Sequence, residues 1–451
     1  MRKRISAFFS VLAAIVLLTV PASAASSGST LKIICADAGQ VIFTPPGSTQ
    51  YAYRYGPAIL IDGDRIDIWA SAPPLVSNGV RYGNDSIEYI RSTDGGKTWT
   101  EWKTVLYPTL NSEDQWSTCD PGAFKYGDYY YVGYTGSPEF RTNPDKEKQV
   151  NNLFIARAKN PEGPYEKWNG NGWGGDPYAI TRYSGDGVGC SMPSFTVKGD
   201  TLYMYYVDQT HPDQDWNSEG NISVSTFSLK DPNWPGNELS NKMCENKPEE
   251  VRYCTDIDKF IGFQLKGGWD YDSYVEIYES TDGVNFTKTS SFRNNFPHYA
   301  HNIGISGNNL GQLDLSIQNY IGTAYTPTGV EAWWGHWHTQ LIPLYIREEQ
   351  PSSTTSSQPS GSTDSSSRKP TTSSVGSTDG KSSETEVSEP QNSNIESTVS
   401  DNKDKDKEVN NKTEQQEETS YLWLYIVIGA VVVLAGAGTA VYFLVIKKKH
   451  V

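Results

Sequence analysis

Three prolines set the frame. Pro57, Pro121 and Pro193 are each followed six residues later by Gly-Asp, at Gly63-Asp64, Gly127-Asp128 and Gly199-Asp200. Aligned on these prolines, YGPAILIDGDRIDIWAS, CDPGAFKYGDYYYVGYT and SMPSFTVKGDTLYMYYV each read as a strand, a Gly-Asp turn and a second strand. A two-residue hairpin turn needs positive φ, which glycine supplies freely and aspartate tolerates, so the dipeptide marks a hairpin for a physical reason. A third strand and a tight turn recur after the hairpins, in SIEYIRSTDGGKTW (Ser86–Trp99), LFIARAKNPEGPYEKW (Leu153–Trp168), ISVSTFSLKDPNW (Ile222–Trp234) and VEIYESTDGVNFTK (Val275–Lys288).

The interval from Pro57 to Pro121 is 64 residues and that from Pro121 to Pro193 is 72. Aromatic and β-branched residues alternate between the turns, and no helical periodicity interrupts them, so the region is all-β. Four strands repeated at this interval have the rhythm of propeller blades. A fourth unit, including Cys254–Lys288, lacks a clear Gly-Asp, and a fifth, AHNIGISGNNLGQLDLSIQNY, places Gly307-Asn308 six residues after His301. About 320 residues at this spacing predict a five-bladed β-propeller over residues 30–348.

The two ends of the chain read differently. Arg2-Lys3-Arg4, the apolar run Ala7–Val20 and Ala22-Ser23-Ala24 predict a signal peptide over 1–24. Residues 349–420 are rich in Ser, Thr, Pro, Gly and charge, too poor in aliphatic residues to offset chain entropy, and are expected to form a disordered stalk. Residues 421–446 carry no charge and exceed the roughly 20 residues a membrane-spanning helix needs. Lys447-Lys448-Lys449 then fix a cytoplasmic tail at 447–451 by the positive-inside rule. The expected location is a cell membrane crossed once, with the propeller outside.

The formal net charge of −15 argues against a nucleic-acid partner. Cys35, Cys119, Cys190, Cys244 and Cys254 are too few, and odd in number, for a disulfide framework. Cys244 and Cys254 are spaced to close a local loop in an oxidising exterior. Oligomeric state is not legible.

Asp120-Pro121 at the start of an inner strand, the turn ARAKNPEGPYEKW and the STDG turns together resemble the five-bladed β-propeller glycosidases, glycoside hydrolase family 43 and its relatives. The resemblance covers nearly all of Leu31–Ile346. STDGGKTW, Ser92–Trp99, also matches the Asp-box frequent in sialidases, and STDGVNF, Ser280–Phe286, is a degenerate copy. An Asp-box is a structural turn, so Asp94 and Asp282 are read as architecture. A sialidase would further need an arginine triad and a Tyr–Glu pair, of which only Arg54 in YRYGP gives a loose hint.

Family resemblance implies three acids at the inner strands of the first three blades: a base, an orienting Asp and a Glu acid. Glycoside hydrolysis needs two carboxyl groups facing one pocket, about 5 Å apart for retention or about 6.5–9.5 Å for inversion. Only the second blade keeps an acid in the aligned slot, as Asp120; the first offers Gly56 beside Tyr55, and the third Met192 beside Ser191. Asp120 before Pro121 is expected in extended geometry. Relocated acids are sought among Asp85, Asp186, Asp208, Asp256, Asp272 and Glu331, with Asp186 and Asp256 joining Asp120 as the expected catalytic set. Arg54, Tyr55, Met192, His301, Asn302 and Trp333 are the expected substrate-binding residues. By resemblance, His301 would hold water or a calcium ion near the axis. The cluster EAWWGHWH, Glu331–His338, supplies tryptophans suited to sugar stacking, and its His336 and His338 lack the further ligands zinc requires. Carbohydrate is therefore the expected partner. Hydrolysis is the first reading, and a non-catalytic glycan-binding or adhesion propeller is the alternative.

Overall fold

In a computed structural model, the described residues are 29–47, 52–138, 140–143, 146–149, 151–182, 188–210, 220–330 and 335–349, all within the unit Met1–Ser357. The expected signal peptide, stalk residues 350–420, membrane helix and basic tail lie outside them, as do Asp186, Glu331, Trp333 and Trp334. Among the described residues no helix is long and apolar enough to cross a membrane.

The chain starts with β1 (Thr30–Cys35) and β2 (Gln40–Phe43). Blade one begins with β3 (Tyr55–Asp62) and β4 (Arg65–Ala72); a small hairpin of β5 (Leu75–Ser77) and β6 (Val80–Tyr82) follows, and β7 (Ser86–Ser92) and β8 (Lys103–Leu106) complete it. Blade two uses β9 (Ser117–Tyr126) and β10 (Tyr129–Ser137), a second inserted hairpin of β11 (Phe140–Asn143) and β12 (Lys146–Gln149), then β13 (Asn152–Ala158) and β14 (Glu166–Lys167). Blade three is β15 (Gly189–Lys198), β16 (Thr201–Gln209), β17 (Asn221–Ser228) and β18 (Glu238–Met243). Blade four is β19 (Glu250–Cys254), β20 (Lys259–Lys266), β21 (Tyr274–Ser280) and β22 (Thr287–Phe292). Blade five is β23 (Ala300–Gly307), β24 (Asn319–Tyr325) and β25 (His338–Glu349), and its outer strand is β1, paired antiparallel from Thr30↔Glu349 to Cys35↔Leu344.

All five sheets are antiparallel, as expected of hairpin-linked strands. Their first strands touch in the cyclic order β3, β9, β15, β19, β23, and β23 returns to β3 through the parallel pairs Ser306↔Ile59 and Gly307↔Leu60. The sheets therefore stand radially around an axis as a propeller. The inner strands pack so closely that a Cβ at Gly122 would stand 2.0 Å from Pro193 O. The Gly-Asp turns are two-residue hairpins, with positive φ at Gly63, Gly127 and Gly199.

Period-two alternation sends successive side chains of a strand to opposite neighbouring blades. In β10, Tyr130, Val132 and Tyr134 join Trp69 and Tyr89 of blade one, whereas Tyr131 joins Phe195 and Met204 of blade three. Equivalent clusters fill the other three interfaces: Tyr205 and Val224 with Tyr253 and Phe260, Phe263 and Ile277 with Ile305 and Ile321, and Leu341 with Ile59 and Ile68. Each buried side chain of this size stabilises by roughly 1.5–3 kcal/mol, which lets five such seams hold the ring without cross-links.

The expected Cys244–Cys254 loop is not formed. All five cysteines are buried and free; Cys244 packs with Tyr205 and Phe286 at one seam, and Cys254 with Ile257 and Leu313 at the next. Blade four lacks the Gly-Asp turn, as its sequence indicates. Its inner strand begins at Glu250, and the turn after it is the four-residue Thr255–Asp258.

Every inner strand runs from the same face of the ring toward its hairpin turn. The links between blades and the connections from second to third strand therefore share the face where the inner strands start. The hairpin turns and the turns at Asp94 and Asp282 share the other. Asp94 accepts hydrogen bonds from Ser92 Oγ and from Thr98 N and Oγ1, so its carboxylate is consumed by its own turn.

Candidate functional site

A β-bulge interrupts the inner strand at the same place in four blades, after Tyr55, Cys119, Ser191 and His301. The residue at each bulge takes positive φ: Gly56 (56°), Asp120 (49°), Met192 (56°) and Asn302 (52°). This corrects the expectation that Pro121 holds Asp120 extended. The bulge overrides the pre-proline preference, and such bulges re-aim a side chain. Bonds from the preceding blade fix the geometry: Asp120 N donates to Ser71 Oγ at 2.7 Å, and Met192 N to Thr135 Oγ1 at 2.9 Å.

Three of these slots converge. Asn302 Nδ2 donates to Asp120 Oδ1 at 3.3 Å, and a Cβ at Gly56 would stand 3.6 Å from that oxygen and 3.5 Å from the amide nitrogen. The Asp120 carboxyl is pushed up to about 6, first by burial and then by the Asp85 carboxylate, against the lowering hydrogen bonds from Thr135 and Cys119. Contacts of 3.5, 3.4 and 2.8 Å run from Asp120 Oδ2 through Cys119 Sγ and Ser117 Oγ to Asp85 Oδ2. They hold the two carboxylates within about 10 Å, a bound that contains the separation of inverting pairs. Asp85 itself is 5% exposed and accepts from Tyr53 Oη at 2.5 Å, Ser117 Oγ at 2.8 Å and Asn84 Nδ2 at 3.2 Å. It acts on Asp120 through its charge, since little of it is open to a ligand.

Beside this carboxyl stands an aromatic wall. The Tyr55 ring lies 5.4 Å from that of His301 and 5.5 Å from that of Trp337, and His301 lies 4.4 Å from Trp337. Trp269, on the β20–β21 connection, sits 4.3 Å from His301 and 5.2 Å from Trp337. Burial lowers His301 to about 3, so its imidazole is neutral in the working range.

Several expected residues are placed elsewhere. Arg54 points away from the axis: its guanidinium pairs with Glu88 Oε2 at 2.5 Å and lies 4.6 Å from the Phe43 ring and 5.6 Å from that of Trp102. The correction is that Arg54 joins blade one to the N-terminal segment. Asp256 is corrected too. It lies in the turn after β19, on the face opposite Asp120, where its carboxylate accepts from Leu315 N at 3.3 Å. Asp208 is occupied by Thr210 N and Ser223 Oγ. The acid at blade four's mouth is Glu250, which the sequence reading missed because no Gly-Asp marks the register of that blade. Glu250 pairs with Arg252 at 2.8 Å and accepts from Ser194 Oγ at 3.1 Å. Arg252 in turn donates to Ile305 O at 2.6 Å and Ser194 Oγ at 2.7 Å, tying blades three, four and five together near the axis. Trp269 was missed as well; the signal was the aromatic pair Trp269 and Tyr271 in KGGWDYDS.

The calcium implied by resemblance does not fit these residues. Calcium takes six to eight oxygen ligands. His301 is faced instead by the rings of Tyr55, Trp269 and Trp337. Among the described residues no group of three or more His, Cys, Asp or Glu side chains could hold a metal ion.

No family model and no curated protein sequence matches the chain. Solved structures do. An α-L-arabinofuranosidase of Podospora anserina, determined with cellotriose, is 12% identical at a TM-score of 0.45, over 71% of this chain and 98% of that one. A family 117 glycoside hydrolase of Zobellia galactanivorans is 14% identical at 0.46, over 71% and 91%. A family 43 protein of Bacillus licheniformis is 12% identical at 0.43, over 69% and 54%.

Proposed function

We propose that the face bearing Asp120 binds carbohydrate and hydrolyses glycosidic bonds, with Asp120 as the carboxyl group that protonates the leaving oxygen. One observation carries this reading: an aspartate, aimed by a bulge and joined to Asn302, has its carboxyl raised to about 6 by burial and Asp85. A proton donor for glycoside cleavage needs such a raised value. Asp85 is the positioning residue behind it. Two carboxylates are proposed for activating water: Glu250, at the mouth of blade four, and Asp186, which the sequence places just before β15. Hydrolysis of arabinosyl, xylosyl, galactosyl and sialyl chromogenic substrates tests the reading, with Asp120→Asn as the control. Turnover that survives Asp120→Asn unchanged sinks the assignment, and Glu250→Gln and Asp186→Asn, made separately, assign the second role.

The second reading is a glycan-binding propeller without turnover. It is favoured by Gly56 and Met192, which occupy the slots where the family resemblance implies acids. Sugar binding with no product from any substrate would select it.

We also propose that the propeller is displayed outside the cell. Support comes from the composition of residues 1–24, 349–420 and 421–446 alone. Protease treatment of intact cells should release the propeller; full protection would reject this topology.

A further inference from the structure

The β20–β21 connection carries the exposed ring of the aromatic wall, Trp269, and a second exposed aromatic, Tyr271. Trp269 is 38% exposed, although its ring leans on His301 and on Trp337, which is fully buried. Its backbone takes φ +72°, a conformation costly for a bulky residue and one that persists only where surrounding structure imposes it. That structure is visible. Trp269 N donates to Ala300 O at 2.9 Å, Tyr299 N donates to Asp270 O at 2.9 Å, and Ser273 Oγ donates to Gly267 O at 2.8 Å. The connection is thus clamped to the start of β23, the strand that carries His301 and Asn302.

Two residues on, Tyr271 is 50% exposed and stacks on His298, with ring centroids 3.8 Å apart and planes 18° from parallel. Arg293 fixes the main chain there by donating to the Tyr271 backbone O at 3.1 Å. Large aromatic faces left in water at a rigid, strained loop lose hydrophobic stabilisation unless something covers them.

Resting on the carbohydrate reading above, we propose that Trp269 and Tyr271 are two successive stacking platforms. Trp269 would take the sugar unit beside Asp120 and Tyr271 the unit next to it, so that the ligand is an oligosaccharide of at least two units. Sugar rings present apolar C–H faces, and stacking on a fixed aromatic ring contributes on the order of 1 kcal/mol.

The test is calorimetric titration of the whole protein with arabino-, xylo- and galacto-oligosaccharides of one, two and three units. Affinity should rise roughly 3- to 10-fold from one unit to two in the bound series. Tyr271→Ala should lose that gain and keep monosaccharide affinity. Trp269→Gly accepts the positive φ and should lower monosaccharide affinity by roughly the same factor. Trp269→Leu keeps apolar packing on His301 without an aromatic face, and should weaken binding likewise. If the wild type binds sugar but neither Trp269 variant weakens it, or one unit binds as tightly as two, the platforms are rejected while the carbohydrate reading stands. If no sugar binds the wild type, both fall.

Discussion

Asn302 of the fifth blade donates to Asp120 of the second, 3.3 Å away, across a glycine of the first. Residues of the first, second and fifth blades thus converge on one oxygen, each from a bulge at the mouth of its inner strand. Burial and the Asp85 carboxylate, not this contact, push the Asp120 carboxyl up to about 6.

Asp120 is expected to trade stability for function. Its folded value near 6 exceeds the ordinary carboxylate value, so the folded state holds the proton more tightly than the unfolded chain. The stabilisation this provides is complete below about pH 4 and is lost as pH rises through about 6. Asp120→Asn removes the buried charge while Asn302 can still donate to the remaining oxygen. We expect the variant to gain on the order of 2 kcal/mol over wild type at pH 7–8, to match it near pH 4, and to lose turnover by at least about 100-fold. Urea melts at both pH values and a rate assay measure these effects; wild-type turnover refutes the catalytic role.

Gly56 offers the reverse experiment. A Cβ there meets Asn302 and Asp120 only at ordinary contact distance, and aspartate tolerates its positive φ better than most residues. Gly56→Asp would set a second carboxylate beside Asp120 and raise the latter's value further. The basic limb of the pH–rate profile should move up by about one unit, with a stability loss of about 1 kcal/mol. A profile that stays in place would mean that Asp120 does not govern it.

Arg252 stabilises the ring only as half of a pair. Arg252→Met leaves the largely buried Glu250 without its charge partner and should cost about 3 kcal/mol in chemical denaturation. Adding Glu250→Gln should restore more than half of that loss. If the double variant is no more stable than the single one, the hydrogen bonds to Ile305 O, rather than the charge, are what blade five depends on.

Gly122 should tolerate no side chain. A Cβ there would stand 2.0 Å from Pro193 O, so Gly122→Ala must push apart the inner strands of blades two and three. A loss of about 3 kcal/mol or more is expected in a thermal or urea melt. Gly127→Ala, at an open turn, should cost only about 1 kcal/mol, through its positive φ.

The recurring Gly-Asp turns made the hairpins readable because a two-residue turn imposes its chemistry locally. They also separated Asp128, which is turn architecture, from Asp120. Blade four escaped because its turn has four residues, and no sequence marker replaced the missing dipeptide; Asp256 was consequently included in the expected catalytic set, although it lies in that turn and Glu250 stands at the mouth. Arg54 could not be read because its partner, Glu88, lies on the third strand of the same blade, and pairing across that distance leaves no periodic trace. The positive φ of Asp120 was hidden for a similar reason. A bulge depends on the register of two strands, which neither strand's sequence carries alone.

The pairing of Thr30 with Glu349 makes the first described strand the outermost strand of the last blade. A ribosome makes this chain from its N-terminus, so β1 must wait until every other blade has emerged. Closing the ring then demands a loop of almost the entire domain, the slowest kind of contact to form. Until that moment blade five exposes the apolar flank of Ile342 and Leu344, which β1 will cover. An unfinished propeller is therefore an adhesive one, and the cell must keep it apart from its neighbours until the last strand arrives.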